Sequence, residues 1–166
     1  MKDNFERFSI YSFGIDYPND CRVEFNSKGR RETGDVAFHL PEKIRIFLSW
    51  GELAKVANRF NSVQEHAEFS LNAMKKGKSV RNFEQVSKDS VPVNTHNAAL
   101  NKIRFEEMIS GFPFSGKKPV QREAYSLHVH CEDSKRYFVL YTMAPYDGQG
   151  KYDRTMTAMI DSFKCH

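Results

Sequence analysis

The run His128-Val129-His130-Cys131, with Cys165-His166 further on, gathers the residue types that bind transition metals, carry protons or act as nucleophiles. In an extended strand alternate side chains share a face, so His128 and His130 would point the same way roughly 7 Å apart and Cys131 would point to the other side. The run therefore supplies two convergent metal ligands, His128 and His130, and completing a site would take His166, His96 or a carboxylate brought in by the fold. The competing reading is of surface histidines on a half-solvated strand. Cys131 alternates with Leu127 and Val129 and reads as an inert core thiol. Cys165 has a histidine beside it but sits where the chain is expected to fray, which is a poor place to hold reacting atoms. No Gly-x-Ser-x-Gly turn and no Gly-x-x-x-x-Gly-Lys-Ser/Thr phosphate loop occurs, so no catalytic motif is present.

A second group of residues could bind without reacting. Ser110-Gly-Phe112-Pro-Phe114-Ser-Gly-Lys117-Lys118-Pro119 sets two aromatic rings beside two lysines on a Gly/Pro-rich loop. Loops run over surfaces, where bulky rings cost solubility unless they meet something. Phe112, Phe114, Lys117 and Lys118 are thus the candidate binding residues, set against a loop that folds back on its own core. Trp50, at the end of an apolar run, reads as a core residue with its N–H satisfied. Arg104 beside Phe105 and Arg136 beside Tyr137 are what a nucleic-acid binder would use.

These residues need a scaffold, and the chain reads as strands, helices, strands and a helix. Short β-like runs at Arg7–Ser12, Gly14–Tyr17, Arg22–Asn26, Asp35–Leu40 and Lys43–Trp50 are separated by turn residues. Helical spacing follows in Leu53, Val56, Ala57 and Phe60, and again in Val63, His66, Ala67, Ser70, Leu71 and Met74. Ser62 and Glu65 form a capping box for the second helix, and Gly77 is expected to close it in a left-handed conformation. Strands return at Val80–Ser87 and Ala98–Met108, then in a hairpin from Arg122 to Met143. Tyr137–Tyr141 is apolar on both faces and belongs mid-sheet. A last helix aligns Tyr152, Met156, Met159, Ile160 and Phe163 on one face. Without regular β-α-β alternation, this is an α+β fold with an antiparallel sheet packed against helices.

Phe13-Gly14-Ile15-Asp16-Tyr17-Pro18, a central helix, a late hairpin and a helix ending Ile160-Asp161-Ser162-Phe163-Lys164 together resemble the Mog1/PsbP-like superfamily. That signature usually has a tryptophan three residues after the proline, where this chain has Cys21. The resemblance spans nearly the whole chain and implies a single α+β domain over 1–166, with an antiparallel sheet of six or seven strands flanked by helices. It also implies a binding or assembly-factor role. Members include a partner of the Ran GTPase and a photosystem II extrinsic subunit, and neither partner carries over to this chain.

Composition narrows the classes further. At 166 residues with 40% hydrophobic content, the chain can bury a core without staples. The formal charge of +4 comes from 25 basic and 21 acidic residues interleaved along the whole length, which argues against a nucleic-acid tail. Three widely spaced cysteines fit reduced thiols, and the acidic start and lack of a ~20-residue apolar run lead us to expect neither a secretory signal nor a transmembrane segment. The expectation is a cytoplasmic, non-enzymatic binding or assembly module acting on a protein partner or small ligand, with no cofactor predicted. The alternatives are a metal-dependent or cofactor-free enzyme using His128 and His130 on an exposed sheet face, a nucleic-acid binder, and a peripheral membrane contact.

Overall fold

The structure, a computed structural model, describes residues 4–111 and 116–166. Its strands are β1 (Phe5–Ile10), β2 (Phe13–Pro18), β3 (Arg22–Phe25), β4 (Gly34–His39), β5 (Arg45–Glu52), β6 (Val80–Val93), β7 (His96–Ser110), β8 (Lys117–Cys131) and β9 (Arg136–Pro145). Its helices are α1 (Leu53–Ala57), α2 (Val63–Lys75) and α3 (Asp153–Ser162). Seven strands form one antiparallel sheet in the order β3-β4-β5-β9-β8-β7-β6, and β1 and β2 pair as a separate hairpin.

The two-faced apolar strand β9 lies in the middle, between β5 and β8, as its composition requires. The β8–β9 register runs from Arg122 opposite Pro145 to Cys131 opposite Arg136, so the late hairpin forms as read. One sheet face carries the β1–β2 hairpin and α3. There Phe13, Phe38, Leu48, Trp50, Leu127 and Phe138 meet Met156, Met159 and Phe163 in the main core. Trp50 is buried, with its indole N–H donating to the Arg30 carbonyl at 2.9 Å. The other face is covered by α2, which packs on β6, β7 and β8, while the short α1 packs against β5 and β9. Leu71 there meets Ile103, Phe105 and Ala124.

Two local expectations are corrected. Gly77 does not adopt a left-handed conformation, because α2 ends on Lys76 in a right-handed one. The space there is tight, since a Cβ on Gly77 would stand 3.0 Å from the Met74 carbonyl oxygen. In the capping box the Ser62 hydroxyl accepts from the Glu65 N–H at 3.1 Å as expected, but the Glu65 carboxylate reaches the Asn61 N–H at 2.7 Å, one residue earlier. The β6–β7 pair is also longer than the pattern indicates, continuing through Lys88-Asp89-Ser90-Val91-Pro92-Val93. Those residues look unlike a strand because β6 is an edge, where a proline lacking an N–H and charged side chains are tolerated.

Candidate functional site

His128 and His130 do share a face, but that face is not exposed. α2 lies across it, its Ser62 cap and its Val63, Ala67 and Leu71 stripe seating it on the sheet, and His128 is left 1% exposed. Helix α2 brings in His66, whose Nδ1 lies 3.1 Å from His130 Nε2. Both ring nitrogens of His128 are satisfied, Nδ1 lying 3.1 Å from the Ser126 hydroxyl and Nε2 3.1 Å from that of Ser70. Phe60 stacks on His66 with centroids 4.9 Å apart. Burial is the first cause that pulls His66 down to about 4 and His128 to about 3, with neighbouring histidines adding to the effect, and burial lowers His130 as well. A His66–His130 contact needs one nitrogen donating and the other accepting, which neutral imidazoles provide and a doubly protonated pair cannot. The histidines are therefore packed, neutral and mutually satisfied.

Cys131 points to the opposite side, as alternation requires, into a different cluster. His96 begins β7, Cys131 ends β8, and Cys165 and His166 follow α3. The segment after α3 is tied down: the Lys164 and Gly14 backbones exchange hydrogen bonds of 2.8 and 2.9 Å, and the Cys165 N–H donates to Asn94 Oδ1 at 2.9 Å. The expected fraying at Cys165 is thus prevented, and both Cys131 and Cys165 are fully buried. Their sulfurs lie 2.7 Å apart. Cys131 Sγ is 3.6 Å from His96 Nε2 and 3.4 Å from His166 Nδ1, and Cys165 Sγ is also 3.4 Å from His166 Nδ1. The Cys165 thiol donates to Cys131, which lowers the proton affinity of Cys131 and raises that of Cys165. His96 and His166, named from the sequence as residues that could complete a site with His128 and His130, lie instead beside Cys131 and Cys165. The turn between β6 and β7, which carries Asn94, is what brings the Cys165-His166 doublet to Cys131.

On the main-core side of β9, Arg136 is 2% exposed and heads a cleft of about 510 Å³ between α1 and the β8–β9 turn. Leu53, Ala54 and Ala57 line its apolar side, and besides Arg136 its charged residues are Arg31, Lys135, Glu32, Glu52 and Glu132. The Arg136 guanidinium lies between the rings of Phe13 and Phe138, 5.4 and 5.2 Å from their centroids. It donates to the carbonyls of Tyr11 at 2.8 Å and Arg31 at 3.3 Å, while its Nε–H has no partner among the described residues. Burial lowers its proton affinity first and the Arg31 charge lowers it further, whereas Cys131, Cys165 and Glu32 favour its charge.

The remaining candidates are spread apart. Phe112 and Phe114 lie outside the described residues, and Lys117 and Lys118 are exposed at the start of β8. Arg104 bonds Glu123 at 2.8 Å and stacks over Tyr146 at 4.2 Å. No described helix is long and apolar enough to cross a membrane.

No family model matches this chain, and no curated protein does. Among solved structures, it is similar to cyanobacterial PsbP (CyanoP) from Synechocystis sp. PCC 6803, with a TM-score of 0.63 at 12% identity over 98% of this chain and 93% of that one. A Pseudomonas aeruginosa protein of unknown function matches at a TM-score of 0.44 and 6% identity, covering 93% of this chain and 92% of the other. The first likeness establishes a PsbP-like fold.

Proposed function

We propose that this PsbP-like fold serves as a non-enzymatic binding module, and that its ligand enters the cleft between α1 and the β8–β9 turn with an anionic group directed at Arg136. The observation that carries this reading is a buried guanidinium with an unpartnered Nε–H at the head of an apolar-sided cleft. A buried cation gains from an anion that supplies the missing acceptor, because an unmade hydrogen bond in a dry site costs about 1–3 kcal/mol. Binding is favoured over catalysis because the cleft is lined by neither histidine nor cysteine. The histidines the enzyme reading relied on are neutral and packed beneath α2, away from it.

The test is a titration of the isotope-labelled chain with benzoate and phenyl phosphate, followed by amide chemical shifts. Shifts should concentrate in α1 and residues 131–136 and should be suppressed by Ala54→Trp, which fills the cleft from an exposed position without touching the core. Shifts scattered over the surface, or unchanged by Ala54→Trp, would overturn the cleft assignment.

A second reading places protein docking at Phe112, Phe114, Lys117 and Lys118. It draws support from Ile109, 39% exposed and paired opposite Lys118, which extends an apolar and basic surface onto the ends of β7 and β8.

A further inference from the structure

Four side chains from three separated parts of the chain each offer a ligand atom within 4.8 Å of all the others: His96, Cys131, Cys165 and His166. Zinc–sulfur bonds of about 2.3 Å and zinc–nitrogen bonds of about 2.0–2.1 Å set tetrahedral edges of roughly 3.3–3.8 Å. The sulfur–nitrogen separations of 3.4, 3.4 and 3.6 Å already fall in that range. The sulfur–sulfur distance of 2.7 Å does not, and small rotations about the cysteine side chains would open it by roughly 1 Å to reach the zinc edge.

We propose that Cys131, Cys165, His96 and His166 form a closed tetrahedral site for Zn²⁺ that fastens the segment after α3 to the start of β7 and the end of β8. Two sulfurs and two imidazole nitrogens are a donor set for a borderline-soft ion without geometric preference of its own. Each thiol releases its proton to solvent on binding, so two thiolates balance the 2+ charge and no oxidant is involved. A disulfide would use the sulfurs alone and leave the two imidazoles without a role. Asp133 supplies the outer support: its Oδ2 lies 2.9 Å from His96 Nε2 and 3.8 Å from His166 Nε2. When His96 Nε2 turns from that carboxylate to the ion, Asp133 remains free to hold the outer N–H of His166, whose Nδ1 already faces both sulfurs. The site borders Ser134, Lys135 and Arg136 in sequence, so the ion would also brace one wall of the cleft, but neither proposal requires the other.

The experiment is elemental analysis of the purified full-length chain, followed by removal of its metal and titration with Zn²⁺ and Co²⁺. About one zinc per chain is expected, and the Co²⁺ form should show thiolate-to-cobalt charge transfer together with the intense visible bands of a tetrahedral ion. Cys165→Ser should weaken the charge-transfer band. His166→Ala, at a more exposed position, should lower Zn²⁺ affinity at least tenfold with unchanged far-ultraviolet circular dichroism, and Asp133→Asn should lower it roughly 10–100-fold. If Cys165→Ser fails to fold, the wild-type Co²⁺ spectrum decides the matter alone. Lack of stoichiometric Zn²⁺ binding, a Co²⁺ spectrum without charge transfer, affinity unchanged in His166→Ala, or a Cys131–Cys165 disulfide that survives thiol reductant would each overturn the proposal.

Discussion

His66 and His128 make the stability of this protein depend on pH in a defined direction. Their native values of about 4 and about 3 lie below the ordinary 6.5 expected of the unfolded chain. Above pH ~6.5 both states are neutral and stability is flat. Below it the unfolded chain takes up protons that the native cluster refuses, so stability falls until the native values are reached, by up to about 1.4 kcal/mol per pH unit for each histidine. The groups facing these rings are His130, Ser70, Ser126, Tyr137 and Arg59, and none is a carboxylate that would offset the effect. Urea midpoints should decline between about pH 6.5 and 4.5, and His128→Gln should flatten the decline; a constant midpoint would contradict the packed neutral cluster. Strand alternation made the shared face of His128 and His130 legible, and the opposite placement of Cys131 with it. Their burial was not legible, since alternation tells which residues share a face but not what covers it. The partners His66 and Ser70 come from a helix about sixty positions earlier, at separations of 64 and 58 residues.

At the scale of elements, α2 and α3 owe their places to unlike causes. Helix α2 begins on a satisfied cap, and Ser62→Ala should cost about 1 kcal/mol because the Glu65 N–H loses its acceptor. α3 has no such cap and is held by burial of Met156, Met159 and Ile160, with Phe163 just beyond it. Phe163 is 3% exposed and meets the Phe138 ring edge-on at 5.3 Å, so Phe163→Ala should cost roughly 3–5 kcal/mol in denaturant unfolding. A loss under about 1 kcal/mol would show the ring to be peripheral. The hairpin β8–β9 and the stripe of α3 could be read from the sequence because their burial is periodic. The end of β6 could not, because an edge strand exposes much of its surface and its pattern is set by the need to avoid unwanted pairing.

For the whole molecule, the seven-stranded sheet offers ends and edges for contact, and the docking reading of the β7–β8 end makes a separable demand. Changing Phe112 and Phe114 together to serine should abolish capture of a protein partner while leaving the melting temperature nearly unchanged. A fall in stability of several kcal/mol with capture intact would make those rings ordinary core cover. Charge reversal at Lys117 and Lys118 should slow association with an acidic partner and remove its salt dependence.

The bond between β2 and the end of α3 has a bearing on how the chain reaches this state. The Asp16 N–H donates to the Ser162 hydroxyl across 146 positions, beside the Gly14–Lys164 bridge. On a ribosome adding 5–20 residues per second, Gly14 and Asp16 wait roughly 7 to 30 s for these partners to be made. Phe13 and Ile15, both fully buried at the end, stay uncovered by α3 throughout that interval. The nascent chain thus carries a sticky hairpin that can be quenched only late, and chaperone demand should peak before residue 160 emerges rather than after release.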